Sequence, residues 1–207
     1  MKSQRTILWV TVATTIGVTG LLHGQRPPDP VDFRPFSDGR NWIVKEPLTY
    51  QVGVSNDSAT VPRGFVTDLA SIPPALQSLI QQNGPHLLPA VIHDYLYWKQ
   101  TCTRDQSDQL MLLAMIENQV PLIDQTAIHG AVRAAGGFAW DQNARERKAR
   151  QIRILPESHI NILARTLWPE YRALLMMNGI MDGPDTSIPS GFCARGSMTT
   201  KAALETR

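Results

Sequence analysis

Charge of one sign is scarce in this sequence. Its 20 Lys and Arg stand against 18 Asp and Glu, a formal net charge of +2. Charge balance alone therefore points to no nucleic acid or other polyanion. Cysteine is scarcer still. Cys102 and Cys193 are too few for a disulfide scaffold, and sequence leaves both a single bridge and no bridge open. Familiar catalytic signatures are missing too: no nucleophile elbow, no His-Glu-x-x-His, no Walker loop, no Gly-x-Gly-x-x-Gly, no paired Cys-x-x-Cys. That removes the standard serine hydrolase, zincin, NTPase and dinucleotide-enzyme readings. With 207 residues, 43% of them apolar, the chain is long enough for one domain with a core, plus tails.

One long uncharged run is present. Lys2 and Arg5 precede an apolar stretch over residues 7–22, the pattern of an export signal. It is slightly short for a membrane span, and no clean cleavage site follows it. A cleaved signal peptide and an uncleaved signal anchor both fit residues 1–25. Either places the domain beyond the inner membrane, periplasmic or membrane-anchored, with the N-terminal segment against the bilayer in the anchored case. Residues 26–39 read as a Pro-rich linker, residues 40–180 as a single domain, and residues 181–207 as a flexible tail.

The expected fold class is α+β: a small antiparallel β-meander followed by a mainly helical body. Short strands are expected over 42–44, 48–54 and 59–62. Helices are expected from Ser71 to Gln82, over 87–100, over 104–118, and over 124–135 with a stop at Gly136-Gly137. A last helix over 159–177 is bent or restarted at Pro169. The run Arg145, Arg147, Lys148, Arg150 and Arg153 reads as a solvated basic face.

Functional signals gather in two blocks. In the second, Ala90 to Tyr97, His93 and Tyr97 are four residues apart and share a helix face. Asp94 is rotated about 100° from His93, so the two side chains serve different atoms. On the following helix Asp108 is in register with apolar Met111, Leu112 and Met115. A carboxylate aimed at a core needs a partner, and the His93 face of the antiparallel neighbour offers one. A His93–Asp108 pair suits general-base chemistry; the alternative is a buried bond that pins two helices. In the first block, Val61 to Pro74, Asp68 and the loop carbonyls could join Asp94 in an oxygen-rich divalent cation site. Calcium suits that set better than zinc. Thr67 and Ser71 support this block; local capping explains Ser71 equally well, and Asp68 somewhat less well.

Both blocks, in order and at close spacing, resemble a phage and bacterial family catalogued as domain of unknown function 1353, over roughly residues 40–140. That resemblance brings no activity. The helix pair alone also resembles the secreted prokaryotic phospholipases of the A-two type. That likeness implies His93 as the base that activates water, Asp94 as a calcium ligand, Tyr97 in the network and Asp108 orienting His93. The calcium loop and disulfide framework of that family are absent here.

Three functions follow as expectations. The first is a His-Asp hydrolase, cation-assisted, acting on a cell-envelope ester or amide, with a small molecule or lipid as its partner. The second is a non-enzymatic phage morphogenesis or lysis accessory with a structural His-Asp lock. The third is an envelope module that binds a ligand without turnover. Solvent access to His93 separates a catalytic site from a lock.

Overall fold

The computed structural model describes residues 32–69 and 84–205. The N-terminal stretch read as an export signal, Ser71 and the helix expected up to Gln82 lie outside them. Five short strands precede six α-helices among the described residues, an α+β architecture. The strands are β1 (Phe33–Pro35), β2 (Trp42–Val44), β3 (Leu48–Gln51), β4 (Ser58–Val61) and β5 (Val66–Thr67). They form two sheets rather than one meander: β1-β2-β5 and the hairpin β3-β4, antiparallel throughout. β1 lies inside the stretch read as a linker, because Arg34 pairs with Ile43. In β3, Leu48 and Tyr50 point inward while Thr49 and Gln51 face solvent, the period-two alternation of a half-buried strand.

The helices are α1 (Leu87–Lys99), α2 (Arg104–Glu117), α3 (Leu122–Lys148), α4 (Trp168–Met177), α5 (Ser190–Arg195) and α6 (Thr200–Glu205). Every residue of α1 from Leu87 to Trp98 is buried, which makes it the central element of the largest core cluster. A helix apolar on all sides must be enclosed on all sides. Gln100 ends α1 in the left-handed conformation. Three residues later a capping box starts α2: Thr103 accepts from the Gln106 amide, and the Gln106 side chain accepts from the Thr103 amide.

Several expected boundaries move, each for a tertiary reason. The stop at Gly136-Gly137 is not one, and α3 runs 27 residues through both glycines. A Cβ on Gly136 would collide with the Tyr97 hydroxyl, so this glycine serves close helix approach rather than termination. Gly137 faces open space. Gly136→Ala is therefore expected to destabilise by about 1–3 kcal/mol through overpacking. Gly137→Ala should instead stabilise by up to about 1 kcal/mol through helix propensity. Thermal unfolding of the two variants should shift in opposite directions.

Pro169 starts α4 in its first turn instead of bending a longer helix. The stretch read as a loose tail carries α5 and α6. Phe192 is fully buried in the main core, and the Arg195 Nε donates to Asp57 Oδ2 at 2.6 Å. A disulfide joins Cys102, in the α1–α2 turn, to Cys193 in α5 across a sequence separation of 91. A backbone return closes the molecule near its site. Gly64, at φ +87, turns the chain into Phe65, which bridges to Ile154. The Val66 amide donates to the Arg153 carbonyl at 2.8 Å. Among the described residues no helix is long and apolar enough to cross a membrane.

Candidate functional site

The two motif blocks meet at the start and middle of α1. His93 Nε2 lies 2.9 Å from Asp108 Oδ1 on α2, and the Tyr97 hydroxyl donates to the same oxygen at 2.6 Å. The His93 and Tyr97 rings stack at 4.0 Å, and Trp140 of α3 meets the Tyr97 ring edge-on. Arg104 is 3.6 Å from the other Asp108 oxygen. Burial alone would raise the Asp108 pKa. Hydrogen bonds from His93 and Tyr97, with the Arg104 charge, overcome it and hold the carboxyl below its ordinary value. Tyr97 moves the other way, pushed up by burial and by its bond to Asp108.

When its ring carries a single proton, His93 donates from Nε2 to an ionised Asp108, and Nδ1 carries the lone pair. That Nδ1 is buried without a hydrogen-bond partner. The whole triad is sealed. The side chains of His93 and Asp108 are 1% and 0% exposed.

Asp94 points elsewhere, as its rotation on α1 requires. Its Oδ2 accepts from the Thr67 hydroxyl at 2.5 Å and from the Leu69 amide at 3.0 Å. Leu69 has φ +50, an unfavourable conformation for a branched residue. Asp94 thus clamps the chain as it leaves β5. Asp68, between the two clamped residues, pairs with Arg153 across 3.8 Å.

Calcium takes six to eight oxygens. Among the described residues no group of three or more His, Cys, Asp or Glu side chains is placed to hold a metal ion. The clamp also already engages one Asp94 oxygen, so among the described residues the donor set for the expected calcium site is incomplete.

What the two aspartates do share is a cleft of about 60 Å³. Asp68 and Asp94 line it with Ala139, Gln142, Asn143 and Glu146 of α3, and with Arg153. Glu146 accepts from Gln142 at 3.0 Å and from Arg172 at 2.8 Å. Burial opposes its ionisation, but these bonds and the Arg172 and Arg153 charges lower its pKa.

Arg153 is the residue that sequence reading missed, having been assigned to a solvated face. It is 9% exposed. Its guanidinium lies over the rings of Phe65 and Trp98, 5.9 and 6.0 Å from their centroids. A cation inside the apolar run Ile152-Arg153-Ile154-Leu155 was the available signal, since flanking apolar residues on both sides imply burial.

No curated protein and no solved structure matches the chain, and neither comparison supports the likeness of the helix pair to phospholipases. Residues 42–132, fewer than half of the chain, match the protein family of unknown function DUF1353, and that stretch contains β2 to β5, the Asp94 clamp and the whole His93–Tyr97–Asp108 triad.

Proposed function

We propose that this is an exported domain that binds a small polar ligand in the Asp68–Asp94–Arg153 cleft without turnover, with the His93–Asp108 pair as a structural lock behind it. The observation that carries this reading is the contrast in access. The His93 side chain is 1% exposed, whereas Asp68 is 38% exposed and lines a cleft with Asp94, the neighbour of His93 on α1. A general base must reach its substrate; a lock need not. The Cys102–Cys193 disulfide supports the exported reading, because such bonds persist in oxidising compartments.

One observation favours a hydrolase instead. The unpartnered Nδ1 of His93, with Nε2 held by Asp108, is the arrangement of an oriented base awaiting a proton.

Thermal-shift measurements with small amines, carboxylates, amino acids and calcium chloride, beside turnover assays on phospholipid vesicles and simple esters, separate the two. The binding reading expects stabilisation by a small polar ligand that Asp68→Asn abolishes, and no turnover. Turnover that disappears in His93→Asn would replace it with the hydrolase. Calcium-dependent stabilisation lost in Asp68→Asn would reinstate the cation site.

A further inference from the structure

Of the eight large apolar side chains exposed among the described residues, four fall between residues 163 and 181. They are Leu163, Leu174, Met177 and Met181, at 52–84% exposure. Apolar residues exposed singly need no explanation, whereas a patch of them marks an interaction site. Leu174 and Met177 are three residues apart and share the outer face of α4 with exposed Ala173. Trp168 and Leu175 turn the other way, into a core cluster with Phe36 and Ile43.

The chain enters the domain beside this face. The Lys45 amide donates to the Asp32 carbonyl at 2.8 Å. The Lys45 ammonium donates to Asn161 Oδ1 at 3.1 Å, two residues before Leu163. Directly after β1, Phe36 packs against Trp168 and Tyr171 of α4, with ring centroids at 5.3 and 6.5 Å. The Ser37 amide donates to the Thr166 carbonyl at 2.9 Å. The first described residues therefore lie against the turn that carries Leu163 and against the start of α4, a helix about 15 Å long.

Little sequence separates that entry from the apolar run over residues 7–22. Residues 23–32 reach at most about 35 Å when fully extended, and a domain of this size is about 40 Å across. With the run anchored in a bilayer, the tether is too short to lead round the domain. The side on which the chain enters then faces the lipid.

Charge on this side suits an anionic surface. Around the entry, Asp32, Asp38 and Glu46 are balanced by Arg34, Arg40 and Lys45, and Glu170 by Arg165. The surplus is the end of α3, which Arg172 holds beside α4 by donating to Glu146 Oε2 at 2.8 Å. Arg145, Arg147, Lys148 and Arg150 are all exposed there. Basic residues beside an apolar face are the pattern of attachment to anionic headgroups.

We infer that the outer face of α4, with Leu163 and the basic end of α3, docks on a bilayer bearing anionic phospholipid. So small a face binds lipid weakly by itself; the tether makes the contact intramolecular and so effective. The inference rests on the exported reading, in its anchored form, and is independent of what the cleft binds.

Lipid quenching on the full-length protein in phosphatidylcholine vesicles, with and without phosphatidylglycerol, tests it. An environment-sensitive fluorophore is placed on Met177→Cys or, as a control in the β3–β4 turn, on Val54→Cys. The native cysteines are bonded to each other and stay unlabelled. With phosphatidylglycerol present, doxyl-labelled lipid should quench the probe at 177 at least about twofold more than the probe at 54. Leu174→Glu should remove that difference while the variant keeps its unfolding midpoint.

Equal quenching at the two positions, in protein that floats with the vesicles, would overturn the docking face and leave the anchor standing. Protein that does not float would overturn the anchored reading beneath it. Shielding of the 177 probe from aqueous iodide, without quenching by lipid, would assign the face to a second copy of the chain and overturn the lipid assignment.

Discussion

Asp108→Ala should destabilise the domain by about 2–6 kcal/mol, because two buried donors lose their shared acceptor at about 1–3 kcal/mol each. Those donors are His93 Nε2 and the Tyr97 hydroxyl, both bonded to Asp108 Oδ1, and neither can turn to water from a sealed position. Asp108→Asn keeps an oxygen acceptor of the same shape but loses the charge. It should cost less, since bonds to a charged acceptor are stronger than neutral ones. Urea unfolding, read as the midpoint at constant slope, measures both variants.

The same pair predicts a pH signature with a definite sign. The folded-state pKa of Asp108 lies below its ordinary value of 3.8. An acid with a depressed folded pKa contributes stability that is present above its unfolded value and is lost as pH falls through the folded one. Wild-type stability should therefore decline in acid below about pH 4, and the decline should be shallower in Asp108→Asn, which has no carboxyl to protonate. Equal acid slopes in the two proteins would show that Asp108 is not the group responsible.

Removing the disulfide should have the second large effect. The Cys102–Cys193 bond closes a loop with a sequence separation of 91, for which chain-entropy reasoning gives a loss of about 4–5 kcal/mol on removal. For a domain of this size that corresponds to a fall in Tm of about 10–15 °C. Cys102→Ser with Cys193→Ser should show it, and reductant should bring the wild type to the same midpoint.

The bond ties the turn between the two site helices to a C-terminal segment beyond the family-matched residues 42–132. Two further ties hold that segment to the hairpin side of the domain. Arg195 bonds Asp57, and the Thr186 hydroxyl donates to the Thr60 carbonyl. These ties remain in the reduced protein, so unfolding should stay cooperative at the lower midpoint. An unchanged midpoint under reductant would mean that the loop entropy is offset elsewhere, for example by residual structure in the unfolded chain.

Sequence by itself determined several local elements and the His93–Asp108 pair. Period-two alternation marked β3, and the helix expected over 104–118 is α2 to within a residue. A lone carboxylate on an apolar helix face predicted the geometry of Asp108, because a buried charge admits few solutions and the nearest antiparallel helix offered His93. The resemblance to DUF1353 was legible for the same reason: its residues lie in two short blocks, close in the chain.

Tertiary structure decided what depends on residues far apart. Gly136 reads as a helix stop until Tyr97 is seen against it. Whether Cys102 and Cys193 meet depends on where α5 docks. Asp94 looked available for a cation, but Thr67 and Leu69, more than 20 residues earlier, occupy one of its oxygens. Arg153 looked like surface because it follows a basic run. It is buried because residues 64–66 draw the chain at 152–155 into backbone pairing beneath Phe65 and Trp98. Local patterns report which face of an element is apolar; which distant segment covers that face is settled only when the chain closes on itself.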